Sequence, residues 1–363
     1  MSLAVTTEQQ ELRATVRRWL ADSVPMARVR ELMGTPTAFD PAIWRGLGEL
    51  GVLDLAVPEQ YGGAGYSVQE LAHVFDECGA GVLPSPLLAT LGLALPLLLA
   101  TDDEDARARH LPGIADGSTV ATVAWLAPGA GWDSAGRSMS VTGRKLSGSA
   151  STVLDGMSAD LVLAVAGTGD STVVVAVDPT APGVTRAPQP TLDQTRPLAL
   201  LRFDDVPCTP VGTGAHLLER ALDTAGVLLA AEMVGGAQTC LDASVAYAKV
   251  RRQFGRPIGS FQAIKHKCAE VLVELEGARA AVAYAAWAAA ENPAELPAVA
   301  PLAKAVAGEA YFRAAADNVQ IHGGIGFTWE HDAHLYFKRA KTSLVLFGDT
   351  GAHRRTLADR IGL

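Results

Sequence analysis

Hydrophobic positions along this chain change period twice. Residues 8–21 put Leu12, Val16, Trp19 and Leu20 on one side of a 3.6-residue repeat, which predicts an amphipathic helix. Residues 41–50 open on Pro41, a residue suited to a first helical turn, and stop at Gly51. A rigid turn containing Pro58, Gly62, Gly63 and Gly65 then leads to another amphipathic helix over 67–78. Residues 83–100 are nearly all apolar but are interrupted by Pro84, Pro86 and Pro96. They barely reach the ~20 residues a membrane span needs, so a buried helix or helix pair is expected. From 118 to 210 the period shortens. Val-rich stretches at 120–126, 138–142, 145–147, 159–166, 172–178 and 198–203 are separated by Gly, Asp and Pro turns and read as strands. From about Ala215 the helical period returns: 217–250, 261–289, 299–321 and a fourth helix from about Asp332, with a loop at 292–297. Gly226, Gly235 and Gly236 allow close helix approach, and the Ala-rich faces read as tight packing.

The fold class expected is therefore α+β, in three parts. These are an N-terminal α-helical domain (1–117), a middle antiparallel β-barrel or sandwich domain (118–212) and a C-terminal four-helix-bundle domain (213–363). Composition narrows the function classes. Hydrophobic residues make up 49% and charged ones 19% of 363 residues, as in a well-buried globular protein. The net charge of −9 speaks against a phosphate-tracking surface for nucleic acid, so basic residues that serve an anionic ligand must be local. Cys78, Cys208, Cys240 and Cys268 lack metal-ligand spacing and read as buried thiols of a reducing compartment. With no apolar leader in the first 18 residues and no membrane span, a cytoplasmic protein is expected.

Two stretches carry candidate chemistry. One reads Arg251-Arg252-Gln253-Phe254-Gly255-Arg256-Pro257-Ile258-Gly259-Ser260-Phe261-Gln262; the other opens Gln320-Ile321-His322-Gly323-Gly324-Ile325-Gly326-Phe327-Thr328. Arg251 can grip a pyrophosphate through paired charge-assisted hydrogen bonds, and the Gln262 amide can donate and accept on neutral groups. Gly323 and Gly324 have no Cβ, so backbone can approach a flat or phosphorylated ligand. Taken singly, Arg251 could equally sit in a surface ion pair, and the glycine pair could merely turn the chain.

Taken together, these motifs resemble the flavin-dependent acyl-CoA dehydrogenase family. Trp44, the Val57-Pro58-Glu59-Gln60-Tyr61-Gly62-Gly63-Ala64-Gly65 turn and Phe75-Asp76-Glu77-Cys78-Gly79 resemble its N-terminal domain. The resemblance covers the whole chain. It points in particular to subunits of heteromeric actinobacterial steroid and acyl-CoA dehydrogenases that lack the catalytic glutamate. It implies an acyl-CoA substrate, FAD as cofactor and an electron-transferring flavoprotein as electron acceptor. In that family each flavin lies across a subunit interface. One subunit's β-domain and carboxylate hold the reactive ring, and its neighbour contacts the pyrophosphate and adenosine end. By this resemblance Arg251, Gln253, Phe254, Phe261, Gln262, Gln320, Gly323 and Gly324 are cofactor-binding residues.

The same resemblance exposes losses. Where the family's flavin-contacting turn usually reads like Thr-Glu-Pro-x-Ala-Gly-Ser-Asp, this chain has Leu126-Ala127-Pro128-Gly129-Ala130-Gly131-Trp132-Asp133. The family's Trp-Ile-Thr strand aligns with Thr152-Val153-Leu154. The usual glutamate base falls at Phe347, and the alternative base position of some members falls at Ala225, so no catalytic base is expected at either. Glu232 and Asp349 are the candidate substitutes; their plainer roles are an interhelical partner and a turn or cap residue. His331 and His334 have no third ligand at fitting spacing, so packing or hydrogen bonding is expected of them, not metal binding.

The function expected is α,β-dehydrogenation of an acyl-CoA thioester. In it this chain is the subunit without the base, in a heterotetramer that shares FAD with a homologous catalytic dehydrogenase subunit. The alternatives are a self-oligomeric, homomeric dehydrogenase with a relocated base, and a flavin-free scaffold or acyl-CoA-binding protein.

Overall fold

A computed structural model describes residues 5–132, 138–169 and 171–363. In chain order the helices are α1 (Thr7–Ser23), α2 (Met26–Met33), α3 (Pro41–Glu49), α4 (Val68–Ala80), α5 (Leu95–Ala100) and α6 (Glu104–Ala115). Eight strands follow: β1 (Ala121–Ala124), β2 (Met139–Thr142), β3 (Lys145–Leu154), β4 (Leu161–Thr168), β5 (Ser171–Val177), β6 (Val184–Gln189), β7 (Leu198–Pro207) and β8 (Thr209–Thr213). After them come α7 (His216–Val250), the short hairpin β9 (Arg252–Gln253) and β10 (Arg256–Pro257), then α8 (Gln262–Glu291), α9 (Leu296–His322), α10 (Ala333–Val345) and α11 (Thr350–Ile361). Packing divides the chain into two compact units.

The first unit comprises Arg28–Leu71 and Pro84–Ala225. Helix α3 starts as its sequence dictates: the Asp40 carboxylate accepts from the Ala42 amide (2.8 Å), and Pro41 fills the first turn. Gly63 closes the following turn, because a Cβ there would lie 1.9 Å from the Val57 carbonyl oxygen. The apolar run expected at 83–100 is a π-helical segment, Leu88–Ala94, continued by α5, and both are buried. The Leu95 amide reaches back five residues to Thr90 O, immediately before Pro96, which has no N–H to give.

The strands form one sheet in the order β6-β7-β3-β2-β4-β5-β8, with β1 added beside β4. The expectation of an all-antiparallel β-domain is corrected here. β1 runs parallel to β4 from Ala121↔Leu161 to Ala124↔Ala164, and β2 meets β4 in a parallel pair at Ser140↔Gly167. The remaining pairings are antiparallel, so the sheet is mixed. Alternate residues supply its core: Val162, Ala164 and Ala166 of β4 with Val173, Val175 and Val177 of β5, and Ala199, Leu201 and Phe203 of β7. A period of two puts each set on one face, and each fully buried Val contributes about 1.5–3 kcal/mol.

The second unit comprises Ala72–Leu83, Gly226–Leu363 and the N-terminal stretch up to Ala27. Two of the glycines of α7 do what the sequence suggests. A Cβ on Gly235 would lie 1.8 Å from Asp76 O in α4, and one on Gly236 would lie 2.4 Å from the Tyr311 ring in α9. Gly226 has nothing within 4 Å and is not a close-approach site. The C-terminal bundle has five helices where four were expected. The turn at Leu346–Gly348 ends α10, and Asp349 caps α11 by accepting from the Ala352 amide (2.8 Å).

All four cysteines are free; Cys78, Cys208 and Cys240 are buried. Burial pushes the Cys78 and Cys240 thiols well above their ordinary range, which leaves them inert. Among the described residues, only α7 is long and apolar enough to cross a membrane by length and composition, and its apolar window is mostly buried in the protein.

Candidate functional site

The second unit gathers the residues expected at a cofactor end. Helix α7 ends with Tyr247 stacked on His322 at the end of α9, ring centroids 4.3 Å apart. Arg251 follows one turn past Tyr247, its amide donating to Tyr247 O (2.9 Å), and so lies at the same end of the unit as the Gly323–Gly324 turn that follows His322. Helices α8 and α9 run antiparallel, tied by Lys267 to Asp317 and by Arg313 to Glu270 and Glu274. In that register Gln262, at the start of α8, falls level with His322 and Gly323. Between them the β9–β10 hairpin projects Phe254 at φ +51° and 92% exposed, its ring edge-on to Phe261 (6.1 Å). Arg256 lies over the Phe261 face, 4.1 Å from its centroid.

These groups suit the phosphate-bearing end of a dinucleotide. Arg251 is exposed, and its guanidinium makes no hydrogen bond or ion pair among the described residues. The Gln262 and Gln320 side chains are likewise exposed, whereas the Gln253 amide is turned onto its own hairpin, donating to Arg252 O (2.8 Å). Gly323 has φ +63°, and a Cβ on Gly323 or Gly324 would meet nothing within 4 Å, so the backbone is open to a ligand. A free cation, open amides and bare backbone in one place fit a pyrophosphate. His331 accepts from the Ala333 amide (3.1 Å) and packs its ring on His322 at 4.4 Å; His334 stands edge-on to Trp329 at 4.8 Å. Among the described residues no group of three metal-ligating side chains assembles.

Position 347 lies elsewhere. Phe347, half-buried at φ +63°, sits in the turn between α10 and α11, and that turn is bound to Lys304 of α9. Lys304 precedes Gln320 by four to five helical turns. At 1.5 Å per residue the Phe347 turn and the Gln320–Gly324 end are about 25 Å apart along the same helix. One copy of this unit thus cannot present both to the same small reacting centre.

The substitute carboxylates are engaged structurally. Glu232 is buried in an ion pair with Arg339 (2.7 Å), whose guanidinium also donates to Leu83 O (3.3 Å). Asp349 is the exposed cap of α11. In the first unit Ala225 is fully buried and carries no functional group. There the turn after β1 is tied down by Ser151, whose amide donates to Leu126 O (2.8 Å) and whose hydroxyl donates to Ala127 O (3.3 Å). Trp132 packs on Trp125 at 6.0 Å, and Asp133 lies outside the described residues. Thr152 sits at φ +56° in a bulge of β3, its amide donating to Gln189 Oε1 (2.6 Å). Sequence reasoning missed Lys304; the one signal for it is a lone charge inside an Ala-rich helical run.

Comparison with known proteins identifies the family. The acyl-CoA dehydrogenase N-terminal domain matches residues 6–118, and the acyl-CoA dehydrogenase C-terminal domain matches residues 212–362. The chain is 39% identical to acyl-CoA dehydrogenase IpdE2 of Mycobacterium tuberculosis over 342 residues, covering 93% of this chain and 92% of that protein. Its fold is similar to the Tcur3481-Tcur3483 steroid ACAD, solved in a variant form, with TM-score 0.90, 31% identity and 99% of each chain covered. It is also similar to the ChsE4-ChsE5 complex of Mycobacterium tuberculosis, with TM-score 0.92, 27% identity and coverage of 100% of this chain and 99% of that one. The matches run nearly end to end, and the chain belongs to the acyl-CoA dehydrogenase family of FAD-dependent oxidoreductases.

Proposed function

We propose that this chain is the subunit without a base in a heteromeric acyl-CoA dehydrogenase that α,β-dehydrogenates an acyl-CoA thioester. It lends Arg251, Gln262 and the Gln320–Gly324 end to an FAD whose reactive ring lies in a homologous partner subunit. The observation that carries this reading is that Phe347 stands in the turn where the family usually has its base, while Arg251, Gln262 and Gln320 stay exposed about 25 Å away along α9. The chemistry FAD supplies when bound is acceptance of the substrate's β-hydride. The proton on the α-carbon must leave to a carboxylate nearby, and Phe347 has no lone pair to take it. Glu232 is committed to Arg339 and Asp349 to a helix cap. Similarity to a steroid ACAD supports a bulky acyl group such as a steroid side chain. A cytoplasmic dimer of heterodimers, delivering electrons to an electron-transferring flavoprotein, completes the proposal.

The test is turnover of acyl-CoA with an artificial electron acceptor, for the purified chain alone and for the chain with a homologous base-bearing subunit. The expected result is no turnover alone and turnover together, abolished when the partner's base is removed. Oxidation of an acyl-CoA by the lone chain contradicts the proposal and returns Glu232 and Asp349 as bases.

A further inference from the structure

Lys304 is 1% exposed in an otherwise apolar run of α9. Its ammonium donates to the carbonyl oxygens of Leu344 (3.2 Å) and Gly348 (3.5 Å), which bracket the stretch that carries Phe347 from α10 to α11. Backbone in that stretch is unusual. Phe347 has φ +63° and Gly348 φ +113°, and the left-handed region disfavours any residue with a β-carbon. Two amides also hold the turn, Leu346 to Thr342 O (3.0 Å) and Gly348 to Val345 O (3.2 Å). A buried ammonium is costly unless acceptors surround it, so its bonds to these carbonyls resist opening. His353 completes the surroundings. Its Nε2 would stand 3.5 Å from a Cβ on Gly348 and has no hydrogen-bond partner among the described residues. Burial first, then Lys304 and Arg360, push the His353 pKa down to about 3, so no second cation forms beside the ammonium.

We propose that Lys304 is a positioning residue whose buried ammonium clamps the left-handed turn at Phe347–Gly348 and so fixes where side chain 347 stands. Its bearing on turnover rests on the divided-site reading above; the clamp itself does not. One helix then does two tasks, setting position 347 through Lys304 and presenting the Gln320–Gly324 end at its C-terminus.

Hydrogen–deuterium exchange read by mass spectrometry on the full chain tests this. In Lys304→Met, amides in the peptide spanning 344–350 are expected to exchange at least about tenfold faster, the loss of a charge-assisted bond, while β3, β7 and α8 are unchanged. In a Phe347→Gly background the effect of K304M should shrink below about threefold, because glycine takes a left-handed φ without penalty. If K304M does not fold, the comparison is read on Lys304→Gln, too short to reach both carbonyls, with at least about threefold faster exchange expected. Unchanged exchange at 344–350, acceleration spread evenly over α9–α11, or the same K304M effect with and without F347G would each overturn the proposal. These rates need neither flavin nor partner. Failure of the clamp is therefore distinct from failure of the divided site, which is read on flavin and turnover with Lys304 intact.

Discussion

Replacing Glu232 with Gln separates its two possible roles, structural partner and relocated base. The Arg339 side chain is 2% exposed and that of Glu232 7%, with 2.7 Å between them. E232Q leaves a guanidinium buried without its counter-charge, and breaking a buried pair this way costs about 3–5 kcal/mol. The Leu83 carbonyl still accepts from Arg339 (3.3 Å), which favours the lower end, about 3 kcal/mol. With an unfolding entropy of about 2.1 cal/mol/K per residue over 363 residues, the thermal midpoint should fall by about 4 °C. R339M alone should cost a similar amount, since it strands a buried carboxylate. The double variant E232Q/R339M should recover at least about 2 kcal/mol as coupling energy. Turnover of the reconstituted complex below its melting range should stay within about threefold of wild type, whereas losing a general base costs about 100- to 10,000-fold. An unchanged midpoint together with a more than hundredfold loss of turnover refutes the reasoning and identifies Glu232 as the base.

Three further outcomes are expected. Asp76 lies against Arg13 (3.0 Å) and Arg279 (3.7 Å), yet burial, with Glu77 alongside, pushes its pKa up to about 6. A raised carboxyl pKa contributes stability below the unfolded value and loses it as pH climbs through the folded one. Relative to D76N, wild type should therefore lose about 3 kcal/mol between pH 4 and 6 and little beyond; thermal melts showing a pH-independent gap contradict this. Gly235→Ala should cost more than about 3 kcal/mol, because its Cβ would overlap Asp76 O, whereas Gly226→Ala, with open space around it, should gain about 0.5–1 kcal/mol from helix propensity. Denaturant midpoints of the two variants moving the same way would sink that contrast. On the proposed function, Arg251→Gln should weaken FAD retention by the heteromer about 10- to 100-fold while leaving the thermal midpoint of the apo chain unmoved, since Arg251 is exposed.

Long helices and the strand-rich middle were legible because their periodicities are strong and local. α7, α8 and α9 begin and end within three residues of where the hydrophobic pattern put them. What escaped was set by non-local contacts or by weak patterns. β6, with its half-exposed residues and Pro188, pairs among the described residues with β7 alone and has no alternation to read. β3 runs on to Leu154 through a bulge at Ser151 and Thr152 that interrupts its period of two. The parallel pairing of β1 with β4 depends on a crossover that no window along the chain can register. Helix α6 had a usable signal in Asp103, which caps it by accepting from the Ala106 amide (2.9 Å), with Glu104 and Asp105 in the first turn. At the candidate site, helix register explains why Arg251, Gln262 and Gly323 come to the same end of the helical unit. The distance from that end to Phe347, and the lysine that anchors the Phe347 turn, needed the three-dimensional packing of α9.

The central claim, that this chain completes a flavin site only with a partner, is tested most directly by the ratio of FAD to protein in purified material. That ratio should be measured for the chain alone and after co-expression with a homologous base-bearing dehydrogenase subunit. A colourless lone chain and a yellow complex with about one FAD per two chains is the expected result if, as proposed, each heterodimer has one complete interface. A lone chain that purifies yellow with about one FAD per subunit would contradict it.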